Sequence, residues 1–110
     1  MDIDKDTEKQ IQELQILEQN MQGIMMQKQS LQLELTEVEN SLEELKKTKD
    51  DVYKIVGQIM IKASKKDLEK ELKEKQDLVS MRLKTLDTQE KTLSKSGEEL
   101  RKKVLGKIQK

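Results

Sequence analysis

Aliphatic side chains recur every three or four residues along both halves of this 110-residue chain, and that spacing limits the fold more than any other feature. In the first segment, from about Asp6 to Lys49, the apolar positions are Leu14, Leu17, Met21, Ile24, Leu31, Leu35, Val38, Leu42 and Leu45. Alternation of 3 and 4 is the seam of a left-handed coiled coil. With Leu14 at position a, Met21, Leu35 and Leu42 are also a, and Leu17, Ile24, Leu31, Val38 and Leu45 are d. Lys28, at a, is the one polar seam residue between Leu14 and Leu45. Asp2, Asp4 and Asp6 place acid where the positive end of a helix dipole would lie.

The second segment runs from about residue 65 to 108. Leu72, Val79, Leu86, Leu93 and Leu100 take its d positions, and Gln76, Leu83, Glu90, Gly97 and Val104 its a positions. Ser64 with Asp67 three residues later resembles a capping box and marks the helix start. Ser96-Gly97 lowers helix propensity, by about 1 kcal/mol at the glycine.

Between the helices, Val52 to Ile61 holds five β-branched residues and Tyr53, with Gly57 at its centre. That composition predicts strand, turn, strand over about residues 52–62. Tyr53 and Ile55, with Ile59 and Ile61 across the turn, are expected on one face. A lone two-stranded hairpin is marginal in water, so its apolar face needs cover. Two thin helices supply little, and strands from other chains are the expected cover. The chain is therefore read as an obligate oligomer assembled through its hairpin.

Composition removes most other readings. There is no Cys, His, Trp or Pro, and Tyr53 is the only aromatic residue. Thiol and imidazole catalysis, disulfides and zinc sites built on those ligands are excluded. Adjacent acids such as Glu43-Glu44 and Glu98-Glu99 point apart on a helix surface, so an enzyme is not expected. No Gly-rich phosphate loop is present, and no cofactor is expected. No apolar run of about 20 residues exists to span a membrane. No signal pattern precedes the first charges, so the expected location is the cytoplasm. The basic and acidic side chains number 22 each, but residues 1–50 carry net −6, residues 51–64 net +1 and residues 65–110 net +5. Opposite fields on two helices favour their pairing and orientation. The basic half is interleaved with Glu and Asp and lacks aromatic platforms, so nucleic acid is not an expected partner.

The expected fold is mainly α, a long antiparallel two-helix coiled coil joined by a short β-hairpin, forming one domain over residues 1–110. Pairing Leu42 with Leu72, Leu35 with Val79, Met21 with Leu93 and Leu14 with Leu100 satisfies one register. Lys28 then lies about one layer from Glu90; the pair is a candidate register lock, and the other reading is that both side chains snorkel to water. Helices of about 43 residues would be roughly 65 Å long. The seam nearest the hairpin is well specified. Beyond Lys28 it meets Glu90 and Gly97, while Ile11, Ile16, Met25, Met26, Leu105 and Ile108 leave the stripe. Those ends are expected to be loosely packed and apolar, and the clustered Met21, Met25 and Met26 suit an adaptable surface. Ordinary surface scatter is the other reading of the off-stripe residues.

Two heptad helices around a hairpin, with Val52-Tyr53-Lys54, Gly57 and Ile59-Met60-Ile61 in the insert and Gln27-Lys28-Gln29 in the first helix, resemble prefoldin, specifically its β-type subunit of the archaeal kind. The resemblance covers nearly the whole chain, and its specificity rests on the insert. It implies an ATP-independent chaperone. Two α-type and four β-type subunits would join through their hairpins into a hexamer. The ends of the coils would bind non-native polypeptide and pass it to a group II chaperonin. By position, the implied client contacts are Ile11, Leu14, Ile16, Leu17, Met21, Met25, Leu100, Val104, Leu105 and Ile108. The implied assembly residues are Val52, Tyr53, Ile55, Val56, Gly57, Ile59, Met60 and Ile61. The competing reading is a structural coiled-coil scaffold that binds no client.

Overall fold

The computed structural model describes residues 4–108, and Asp2 lies outside them. The element order is α1 (Lys5–Lys47), β1 (Val52–Val56), β2 (Ile59–Ala63) and α2 (Lys65–Ile108). Two long helices thus flank an antiparallel two-stranded hairpin, the fold class read from the heptads and the insert.

Local chemistry sets the helix ends. Asp4 caps α1, its Oδ1 accepting the Thr7 backbone N–H at 2.7 Å. The Thr7 hydroxyl and then the Thr7 N–H hold the Asp4 carboxyl below its ordinary pKa. This contribution to stability is present above the unfolded pKa and is lost as pH falls through the folded one. α1 ends at Lys47, two residues before the expected Lys49. There the Thr48 hydroxyl donates to the Glu44 carbonyl at 2.7 Å, and Lys65 Nζ donates to the Thr48 carbonyl at 2.9 Å. A lysine on the last carbonyls satisfies acceptors that a helix terminus leaves unpaired. At α2, Ser64 Oγ accepts the Asp67 N–H at 3.4 Å, and the Ser64 carbonyl accepts the Leu68 N–H at 2.9 Å.

The chain forms two compact units, to which α1 and α2 both contribute. The hairpin unit comprises Ser30–Leu83. Its core is Val38, Leu42, Leu45 and Val79, of which Val79 is the most enclosed at 2% exposure. Leu31, Leu35, Leu72, Gln76 and Leu83 are half-buried at the remaining predicted seam positions. Lys75 of α2 pairs with Glu34 of α1 at 3.4 Å.

The terminal unit comprises residues 4–29 and 84–108. Ile24, Leu86 and Val104 are buried, and so is Thr7. Here the structure sharpens the heptad reading. The seam continues past Leu14 through half-buried Gln10 to buried Thr7, which are d and a positions in the same frame. Ile11 and Ile108, expected off the stripe, are half-buried. The layers persist because heptad phase places even polar residues inward once the neighbouring layers pair.

The hairpin register departs from the expected one. Val52 pairs with Ala63, Tyr53 with Lys62, Lys54 with Ile61, Ile55 with Met60 and Val56 with Ile59. The loop is therefore Gly57-Gln58, with positive φ (63°) at Gly57 and, among the described residues, at no non-glycine residue. Glycine at the first of two central positions is the II′ pattern, whose twist matches that of the strands. A two-residue loop shifts the pairing by one residue from a turn centred on Gly57 alone. That shift moves a whole strand to the other face. Tyr53 and Ile55 share a face with Met60 and Lys62, whereas Ile59 and Ile61 lie with Val52, Lys54, Val56 and Ala63. The expected single apolar face is corrected to two.

Candidate functional site

Two surfaces and one polar cluster have the chemistry to act. The first surface is the hairpin. Tyr53 (52% exposed), Ile55 (72%), Val56 (52%), Ile59 (65%), Met60 (67%) and Ile61 (43%) are open to solvent. Alternation normally buries one face of a strand pair and wets the other. Here both faces are apolar, and apart from half-buried Val52, Lys54 and Ala63 neither is covered by the described residues. Each strand also has one edge without a strand partner, since the sheet has two strands. Such edges are templates for pairing with another chain. Val52 is half-buried and Gly57 forms the turn. Lys54 Nζ meets Glu71 Oε1 at 3.3 Å and Lys62 Nζ meets Asp51 Oδ2 at 3.3 Å, which ties the hairpin base to α2 and to the preceding loop.

The second surface belongs to the terminal unit. Among the residues expected to meet a client, Ile16, Met25 and Leu105 are exposed. Ile11, Leu14, Leu17, Met21, Leu100 and Ile108 are half-buried, and Val104 is buried at 6% exposure. The paired helices thus bring the seam members together and leave Ile16, Met25 and Leu105 outside. A cleft of about 450 Å³ opens beside Leu14, Leu17, Met21, Leu93 and Gly97, rimmed by Glu18, Gln22, Ser94, Glu98 and Arg101. Arg101 Nη2 reaches Glu18 Oε1 at 3.4 Å across the two helices. Met26 (71%) is exposed near Met25, and Leu33 (63%) and Met81 (65%) are exposed on the hairpin unit.

The polar cluster centres on Lys28. Its Nζ lies 2.5 Å from Glu90 Oε2 and 2.7 Å from Asp87 Oδ1. The heptads predicted Glu90 and missed Asp87, which sits at e, beside the seam. The rule that e and g positions carry interhelical charge pairs would have found it. The polarity of this cluster runs against the rest. Glu34–Lys75 and Glu18–Arg101 place acid on α1 and base on α2, as the −6 and +5 segments suggest. Lys28 places base on α1 and two acids on α2. A seven-residue slip of α2 would offer Lys28 either Ser80 and Leu83 or Ser94 and Gly97 in place of the two carboxylates. Glu90 would then enter the seam without its cation, so the cluster selects register.

The hydrogen bonds to Asp87 and then Glu90 raise the Lys28 ammonium above its ordinary pKa. A raised folded-state pKa gives stability that is full below the unfolded value, about 10.4, and that is lost as pH rises through the folded value. Lys28→Gln should therefore melt below the parent at neutral pH. The gap between the two melting temperatures should narrow as pH climbs beyond about 10. An equal gap at neutral and strongly alkaline pH would show that the charge is not what Lys28 contributes.

Among the described residues no group of three or more His, Cys, Asp or Glu side chains could hold a metal, and no helix is long and apolar enough to cross a membrane.

Comparison with known proteins agrees with this geometry. The family described as "Prefoldin subunit" matches residues 8–110. Prefoldin subunit beta of Thermococcus onnurineus is 39% identical over 94 residues, covering 84% of this chain and 81% of that protein. That of Archaeoglobus fulgidus is 38% identical over 96 residues, covering 86% and 83%. The crystal structure of the prefoldin beta subunit from Thermococcus strain KS-1 superposes with a TM-score of 0.87 at 34% identity, covering 96% of this chain and 94% of that one. Family model, sequence relatives and solved fold coincide with the hairpin and heptads described above, and the chain belongs to the prefoldin family of chaperone subunits, as a β-type subunit of the archaeal kind.

Proposed function

We propose that the chain is an ATP-independent holdase subunit of the cytoplasm that acts as a single domain. In this reading it joins an α-type subunit and further β-type copies in an α2β4 hexamer. Its hairpin assembles the complex through Val52, Tyr53, Ile55, Val56, Gly57, Ile59, Met60 and Ile61. The helix ends of its terminal unit hold non-native polypeptide and release it to a group II chaperonin.

The observation that supports client binding is the shallow seam of the terminal unit. Leu14, Leu17, Met21, Leu93 and Leu100 stay half-exposed while the helices are paired. Ile16, Met25 and Leu105, each about half exposed, add accessible apolar surface beside them. Each such contact with an unfolded segment is weak and undemanding in geometry. Several subunits acting on one chain convert weak contacts into useful affinity, with no nucleotide cycle. Thioether side chains such as Met21 and Met25 adapt to differing partners.

The test is truncation of residues 1–17 and 100–110 in a complex co-assembled with its α-type partner. Assembly should persist, because the hairpin is untouched. The amount of complex needed for half-maximal suppression of client aggregation should rise by about tenfold or more, since loss of several linked contacts multiplies. Unchanged protection by an assembled truncated complex would favour the scaffold reading over client binding.

A further inference from the structure

The hairpin joins its two helices unequally. Residues 48–51 separate α1 from β1, whereas Ser64 alone separates β2 from α2. Each residue of a connection contributes two soft dihedrals, so the first connection has slack and the second has little. Ser64 is held further by its role as cap, its Oγ accepting the Asp67 N–H at 3.4 Å and its carbonyl the Leu68 N–H at 2.9 Å. A second tie reaches α2 from the other strand: Lys54 Nζ on β1 lies 3.3 Å from Glu71 Oε1. Val52, Lys54 and Ala63, the half-buried residues of the hairpin, all lie on the face that carries this tie. Packing does not complete the joint. A groove of about 240 Å³ runs between hairpin and helix, lined by Lys54, Lys62, Ala63, Asp67, Leu68 and Glu71. With Ser64 as the only pivot, that space would let the hairpin tilt against α2.

We infer that Lys54 and Glu71 are positioning residues, a strut that sets the angle at which α2 leaves the hairpin. The β1–β2 ladder, Ser64 and the Lys54–Glu71 pair close a triangle, which a single pivot cannot do. A strut resists tilting best when it stands away from the pivot, and Glu71 lies about 10 Å along α2 from Ser64. The core of Val38, Leu42, Leu45 and Val79 carries the angle from α2 to α1, so the helix pair of the hairpin unit turns as one. The consequence for a complex rests on the proposed assembly through the hairpin. With the strands held by other subunits, the angle at Ser64 decides where each helix pair points and how far it stands from its neighbours. Both partners are accessible, Lys54 at 39% and Glu71 at 57%. An exposed pair is screened by salt and shifts a two-position equilibrium by about fivefold at most, so it sets a preferred angle without locking it.

The chain has no cysteine, so Gln58→Cys on the turn and Glu74→Cys on α2 supply the only thiols for spin labels. The distance between the labels is measured by pulsed electron paramagnetic resonance in the full-length subunit alone. It is measured again in the complex with the α-type partner, with labelled chains diluted by unlabelled ones. The parent should give one narrow distribution. Glu71→Gln should raise the population outside the main peak by about two- to fivefold, with a melting temperature within a few degrees of the parent. Lys54→Glu combined with Glu71→Lys should restore the narrow peak. Salt at about 1 M, where the Debye length is about 3 Å, should broaden the parent and leave Glu71→Gln unchanged. A Gly-Gly-Gly insertion between Ala63 and Ser64 should also broaden the distribution, and the same insertion between Lys49 and Asp50 should not. A parent distribution as broad as that of Glu71→Gln, a charge swap that restores nothing, or equal effects of the two insertions would overturn the strut. So would a contrast that holds in the subunit and vanishes in the complex, because the partner strands would then set the angle. If the subunit alone behaves as expected and no complex forms, the assembly reading fails and the strut stands.

Discussion

Ile59→Asp should leave the subunit folded and abolish its assembly. Ile59 is 65% exposed in the single chain, so the substitution removes little intrachain packing. Its partner across the ladder is Val56, also exposed at 52%, and the new carboxylate can point to water. Within a complex the same position would be covered by strands of other subunits. Each large apolar side chain covered there contributes about 1.5–3 kcal/mol. An unpaired carboxylate in that setting costs several kcal/mol and is repeated in every β-type copy. Mass measurement after co-expression with the α-type partner should show the complex replaced by low-mass species, with helical circular dichroism retained. Ile55→Asp makes the same change on the opposite face of the hairpin, because Ile55 pairs with Met60. If both faces are covered on assembly, both variants disperse the complex. Retention of the full complex by Ile59→Asp would count against the hairpin as the assembly element.

Val79→Asp should have the converse effect, unfolding the hairpin unit before it can assemble. Val79 is the most buried side chain, at 2% exposure, and belongs to a core that includes Val38, Leu42 and Leu45. The substitution loses the valine's burial and places a carboxylate among aliphatic groups. Lys75, one turn earlier, is already engaged with Glu34. The combined penalty is about 3–5 kcal/mol, which for a chain of this size lowers the melting temperature by at least about 15 °C. Glu90 shows why the penalty is specific to an unpaired site. It also occupies a seam position, but it is half-exposed and carries Lys28 at 2.5 Å. Burial raises the pKa of an unpaired carboxylate, so lowering the pH should restore part of the lost stability of Val79→Asp. A variant that melts within a few degrees of the parent would show that the seam at Val79 is open to water.

Much of the fold was legible in the residues. Alternating spacings of three and four place Leu31 through Leu45 and Leu72 through Leu86 on inward stripes, because the helical period fixes which side chains share a face. Lys28 and Glu90 were legible as a pair for the same reason. Gly57 marked the turn, since its φ of 63° is costly for any residue with a Cβ. Less legible was the pairing of the strands. Period-two alternation is symmetric to a one-residue slip, and the number of loop residues decides between the two registers. Reading Gly57-Gln58 as a two-residue II′ loop would have placed Ile59 and Ile61 correctly.

The candidate site was legible in kind but not in exposure. The same heptads that gave Leu14, Leu17, Met21 and Val104 as seam residues could not say that Val104 is buried while Ile16 and Leu105 stand open. Nor could they show the space beside Gly97, because a missing side chain becomes a cleft only when the opposing helix fails to fill it.

By itself, then, the sequence determined two amphipathic helices, a turn at Gly57, an apolar insert and a charge map that pairs the helices. All of these follow from local periodicity and the conformational limits of single residues. The tertiary structure decided the hairpin register, the addition of Asp87 to the Lys28–Glu90 pair, the continuation of the seam to Thr7 and the opening at Gly97. Those depend on which side chain of one element meets which side chain of another, and that is fixed only when distant segments pack.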